Sequence, residues 1–144
     1  MRKLFLAGVA ATAAITLAPL AHADPTPGHS TKVKIPTPAM LCEIGSDDSQ
    51  PGRGPNVVCQ RGAGFVGAPA GDDQAWVDSL GRFGYRTANI ATGYDHPPFD
   101  TLATSWAYDI QGWTIVGHAD GFRFTNDATA HGMFIGADAT VNSF

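Results

Sequence analysis

Strict alternation of apolar and polar positions dominates the last third of the chain. Trp106, Tyr108 and Ile110 recur at every second residue, and so do Trp113 and Ile115. Side chains of an extended segment alternate sides, so each set shares one face. Gln111-Gly112 between them is a two-residue turn signal, with Gly available for a positive φ. That turn sets Ile110 opposite Trp113, Tyr108 opposite Ile115 and Trp106 opposite Gly117. A slip of one residue would throw the apolar set onto opposite faces, so the register is strongly specified. Asp120-Gly121 is a second turn signal, followed by Phe122 and Phe124. Met133 and Ile135 repeat the alternation after the polar bend at Asn126-Asp127. The pattern predicts a three-stranded antiparallel meander over Trp106 to Ile135 with one aromatic face.

Upstream, Leu41-Cys42-Glu43-Ile44 and Asn56-Val57-Val58-Cys59-Gln60 are short β-prone runs. The stretch between them, Gly45 to Pro55, is polar and rich in Gly, Pro and Asp. If Cys42 and Cys59 face each other across a hairpin, its midpoint falls inside that loop, between Gln50 and Pro51. Residues 62–71 hold five Gly or Pro breakers. Asp72 is a fair helix cap for Asp73 to Leu80, but the stretch is too short for periodicity to decide. A strand through Ala75-Trp76-Val77 is preferred, because Gly81 then marks a turn into the alternating run Phe83 to Ile90. Pro97-Pro98 forbids regular structure, and Asp138 to Phe144 reads as an irregular turn that packs Val141 and Phe144 back onto the sheet. Residues 24–40, with several Pro, read as a tail ahead of a single β-rich domain at 41–144. The expectation is an all-β fold of about six or seven strands, a small antiparallel sandwich or open barrel.

The first 23 residues change the picture of where this fold works. Arg2 and Lys3 precede an apolar run from Leu4 to Leu20, and Ala21-His22-Ala23 is a small-x-small cleavage site. That order of parts is expected of a secretory signal peptide cleaved after Ala23, placing the domain outside the cytoplasm, secreted or at the cell envelope. No Cys stands at the cleavage point to carry a lipid, so no stable membrane anchor is expected. Without Arg2 and Lys3 the 9 basic residues become 7, against 13 acidic ones, a net charge of −6 with neutral His. That sign disfavours nucleic acid, whose affinity comes largely from Lys and Arg on phosphates, and anionic membrane surfaces. Only two Cys exist. In an oxidising compartment they are most simply one Cys42–Cys59 disulfide.

Candidate chemistry is sparse. His118, Asp120, Asp127 and His131 flank the turns of the meander and have the groups of a metal or acid–base site, but no two stand at a ligand spacing on one face. The competing roles are structural: Asp before Gly makes turns, Asn126-Asp127 caps a bend through its own side chains, and His131 holds that bend by donating to a carboxylate or carbonyl. Asp47-Asp48 lacks the oxygen spacing of a calcium loop. No Gly-x-Ser-x-Gly elbow exists, so Ser79 and Ser105 read as ordinary residues, and no phosphate-loop or other cofactor motif is present. Trp76, Trp106 and Trp113 are expected in the core, or else as an exposed platform for a sugar or an apolar ligand. The functional expectation is a non-catalytic binding module with a protein or glycan partner and no cofactor. The alternative is a small exported hydrolase or metal-dependent enzyme using His118, Asp127 and His131.

Cys42-Glu43-Ile44, Pro55-Asn56-Val57-Val58-Cys59-Gln60, Ala88-Asn89-Ile90, Gly112-Trp113-Thr114-Ile115, Phe124-Thr125-Asn126-Asp127 and His131-Gly132-Met133 carry a resemblance. Through them the chain resembles a family of small exported actinobacterial, mainly mycobacterial, proteins over most of 41–144. The resemblance implies an exported address and a rough fold, and no catalytic residues. Ala130 stands where that family would place Gly before the His-Gly pair.

Overall fold

Eleven strands in two sheets make up the computed structural model, which describes residues 29–45, 54–90 and 99–144. The candidate signal segment, Asp47-Asp48 and Pro97-Pro98 lie outside the described residues. The first sheet has six strands: β1 (Ser30–Ile35), β2 (Met40–Gly45), β3 (Asn56–Gln60), β4 (Gln74–Asp78), β5 (Phe83–Arg86) and β6 (Asp100–Thr101), in the order β5-β4-β3-β2-β1-β6. The second has five: β7 (Ala107–Ile110), β8 (Trp113–His118), β9 (Gly121–Asn126), β10 (Gly132–Gly136) and β11 (Val141–Ser143), in the order β11-β10-β9-β8-β7. All named strand pairs are antiparallel except β1 with β6. Among the described residues there is no helix.

The two sheets form a sandwich around one core. Val33, Ile35, Cys42, Ile44, Val57, Cys59, Ala75 and Val77 point inward from the first sheet, and Trp113, Ile115, Phe122, Phe124, Met133 and Ile135 from the second. These are alternate positions along their strands, the pattern expected of two sheets that each bury one face. Trp113 crosses between the layers: its indole N–H donates to the Gly45 carbonyl at 3.3 Å. Leu102 closes the core on the β6–β7 side. There Ala103 N–H donates to the Tyr108 hydroxyl oxygen at 2.8 Å and Ser105 N–H to the Gly117 carbonyl at 2.7 Å. Phe65 closes it on the β5–β11 side, where Val66 pairs with Thr140. Tyr85, between Phe65 and Phe83, has its phenol pKa pushed up by burial.

Cys42 and Cys59 are direct cross-strand partners on β2 and β3 and are disulfide-bonded. Both are fully buried. The bond therefore closes the β2–β3 loop from inside the core.

The meander has the register that its turns specify, with Ile110 opposite Trp113 and Tyr108 opposite Ile115. Gln111 at φ 52° and Gly112 at φ 77° both adopt the left-handed region a tight two-residue turn needs. The stretch expected to hold three strands holds four, β7 to β10, because Phe122-Phe124 and Met133-Ile135 lie on separate strands either side of the Asn126-Asp127 bend. Residues 138–144 do not form an irregular turn: β11 adds a further strand, with Ile135 opposite Val141. Its approach is set by Asp138, whose carboxylate accepts from the Thr140 hydroxyl at 2.7 Å and from the Thr140 N–H at 3.0 Å. Those bonds hold the Asp138 pKa below the usual carboxylate range.

Two further readings are corrected. Residues 24–40 are not all tail, because β1 starts at Ser30 and its Val33 and Ile35 are almost wholly buried. Lys32 and Lys34 alternate with them on the outer side, and the flanking prolines mask that period in the sequence. The strand count exceeds six or seven because β1, the two-residue β6 and β11 are short or disguised, and because the meander holds one strand more than expected. The 74–78 segment is a strand, as preferred over the helix.

After β5 the chain must travel from one edge of the first sheet to the other to reach β6. It starts back across the outer side. Gln60 donates from Nε2 to the Ala88 carbonyl and accepts at Oε1 from the Ile90 N–H, both at 2.9 Å. This crossing, with Trp76 laid over Gly84, covers part of that face. Val58 is only 6% exposed there and Gln74 is 0% exposed.

Candidate functional site

The four ionisable residues flanking the meander turns fall into two separated pairs. His118 and Asp120 stand at the β8–β9 turn, Asp127 and His131 at the β9–β10 turn. Five residue steps along β8 separate His118 from Trp113, the partner of Asn126, a distance of about 17 Å at the rise of a strand. His118 therefore shares no carboxylate with His131. No group of three His, Cys, Asp or Glu side chains converges among the described residues.

Each of the second pair has a local partner instead. The Asp127 carboxylate accepts from the Thr114 hydroxyl at 2.6 Å. His131 Nδ1 lies 3.3 Å from the Phe144 carbonyl oxygen, and its ring packs on Gly81 of the opposite sheet. Asn126 organises the bend between them. Its Oδ1 accepts from the Ala128 and Thr129 N–H groups, both at 3.2 Å, and from the Thr129 hydroxyl at 3.1 Å.

Ala130 closes this bend at φ 61°, in the left-handed region where Cβ crowds the backbone. It is exposed, so removing its methyl loses little packing. Ala130→Gly is expected to raise stability by about 1 kcal/mol, read as a higher urea midpoint with unchanged slope.

The three tryptophans do not build a platform. Trp113 is fully buried between the sheets. Trp76 is half-buried on the outer side of the first sheet, against Gly84. Trp106 is 51% exposed just before β7, in the second sheet. Periodicity put Trp106 and Trp113 on one inward face, but Trp106 lies beyond the end of that core and stays in solvent.

The surface that does assemble is the outer face of the five-stranded sheet. Register places Val116, Arg123, Phe134 and Asn142 in one cross-strand row, with Thr114, Thr125, Gly132 and Phe144 beside it. The rings lie where the sheet has no side chains to lift them. A methyl added at Gly121 would stand 2.7 Å from Phe134 Cζ, and one at Gly132 would stand 3.0 Å from Phe144 Cζ. Aromatic side chains packed over strand glycines in this way restore the contact area the glycines lack. The Arg123 guanidinium stacks on the Phe144 ring, its carbon 3.7 Å from the ring centroid. Phe134 is the direct cross-strand neighbour of Arg123, and the His118 ring approaches Phe134 at 6.4 Å.

Stacking fixes the plane of the guanidinium and leaves its N–H edge for an acceptor. That geometry suits a carboxylate or a sugar hydroxyl. The chain matches no family model, no characterised protein and no solved structure. The site therefore rests on its own geometry. Arg123 and Phe134 were not singled out from the sequence, because they sit on the polar side of the alternation, and Phe144 was read only as packing back onto the sheet. The available signal was glycine at positions 121 and 132, opposite or diagonal to aromatic residues.

Proposed function

We propose that this chain is an exported, non-catalytic binding module whose open five-stranded face holds a protein or glycan partner outside the cytoplasm. The observation that carries the reading is the Arg123 guanidinium stacked on Phe144 beside Phe134, on a face that no part of the described chain covers. Aromatic and Arg side chains dominate the energetics of protein interfaces. The signal-peptide pattern with cleavage after Ala23, the resemblance to exported actinobacterial proteins and the buried disulfide all support the address. The hydrolase alternative requires His118 to act together with Asp127 and His131, and the register keeps them at opposite ends of β8 and β9.

The test is binding of the purified protein to isolated cell envelope, with protease-treated and glycosidase-treated envelope as separate arms. Arg123→Ala and Phe134→Ala should each weaken binding by at least about thirtyfold, the range of an interface hot spot. Glu43→Ala, on the outer side of the other sheet, should leave it unchanged. Retention that is absent for the natural chain, or insensitive to both face substitutions, overturns the reading.

A further inference from the structure

A recess lies on the other sheet, at the β1–β2 turn. It has a volume of about 400 Å³, within the roughly 300–1,000 Å³ span of small-molecule sites. Ile35 and Met40, both almost wholly buried, form its floor. Pro36, Ala39, Leu41 and Phe99 complete its apolar lining. Apart from the Thr101 hydroxyl, one side chain brings polarity to this lining: Lys34, on the outer side of β1 between its register neighbours Leu41 and Thr101.

The Lys34 ammonium stands 5.9 Å from the centroid of the Phe99 ring. Among the described residues no carboxylate pairs with it. Its cross-strand neighbour is Leu41, while Glu43 lies opposite Lys32, two pairs further along. An apolar recess carrying a single cation has a definite complement. An apolar tail displaces water from the recess, and an anionic head meets the ammonium while staying in contact with solvent. A neutral apolar ligand would leave the cation unanswered. A polyanion would find one positive charge on a chain whose net charge is negative.

We infer that this recess binds a single-chain anionic amphiphile, an aliphatic carboxylate of the fatty-acid class, with Lys34 as the head-group contact. The site is independent of the open face of the five-stranded sheet, because it lies on the other layer of the sandwich.

Calorimetric titration of the purified protein with dodecanoate and with dodecanol, both below the concentration at which the acid forms micelles, tests the inference. Dodecanoate should bind at one molecule per chain, about tenfold more tightly than the alcohol. Lys34→Gln should lower the affinity for the acid about tenfold, to the level of the alcohol, and leave the alcohol unchanged. The difference should shrink as salt is raised, because the head group remains exposed to screening. Ala39→Asp, at an exposed position, should abolish both while the urea midpoint stays that of the natural chain. Arg123→Ala should alter neither. Equal affinity for acid and alcohol, indifference to Lys34→Gln, or no saturable binding of either probe would overturn the assignment.

Discussion

Replacing Cys42 and Cys59 together with alanine is expected to lower the unfolding free energy by about 3 kcal/mol and the melting temperature by on the order of 10 °C. The bond spans a sequence separation of 17. Cutting it restores the freedom of that loop to the unfolded chain, which is where most of the effect arises on the chain-entropy account. A second effect acts on the folded state. Both half-cystines are fully buried between Ile44, Val57 and the facing sheet, so alanine leaves a void that the core only partly fills. A domain of this size holds about 5–15 kcal/mol in total, so the loss is a large share of what keeps it folded. Urea unfolding of the oxidised protein beside the double variant measures it. Since neither sulfur reaches solvent, thiol labelling after brief treatment with reductant should need unfolding first. A variant with an unchanged midpoint would show that the β2–β3 clamp contributes nothing.

Trp113→Ala is expected to cost about 3–5 kcal/mol, the range for deleting a large aromatic from a packed interior. Trp113 is the largest fully buried side chain and reaches across the layers to the Gly45 carbonyl. Its loss opens a cavity where the two sheets meet and leaves that carbonyl without its indole donor. Trp113→Phe retains most of the volume and isolates the hydrogen bond, with an expected cost nearer 1 kcal/mol. Trp106→Ala is the contrast, because this residue is half exposed and the expected change is within about 0.5 kcal/mol. The natural chain should also lose a blue-shifted emission component in Trp113→Phe and a red-shifted one in Trp106→Phe. Equal costs for the two alanine variants would mean that Trp113 is not the contact between the layers.

The legible parts of this fold were those where a turn and an alternation agree. Gln111-Gly112 fixes which residues oppose which, so the β7–β8 register followed from it down to single pairs. The disulfide was legible because only two Cys exist, each inside a β-prone run. The β1 strand was hidden because Lys32 and Lys34 and the flanking prolines look like a solvated tail, and only burial of Val33 and Ile35 against the second sheet makes it a strand. Periodicity says that one face of a strand is covered, not which sheet covers it. Tertiary partners therefore decided that Trp113 is interior and Trp106 is not. The open face was illegible for the same reason. Arg123 and Phe134 are far apart in sequence from Phe144, and only the pairing of β9, β10 and β11 brings them together.

The central claim is that the open face of the five-stranded sheet is where this protein meets its partner. Titrating isotope-labelled protein with solubilised envelope fragments, and following each backbone amide by NMR, tests it most directly. The expected result is a contiguous set of shifted amides at Val116, Arg123, Thr125 and Phe134, with the disulfide-closed strands β2 and β3 unmoved. Fragments that bind while those four amides stay still, or a protein that no fragment perturbs at saturating concentration, would contradict the claim.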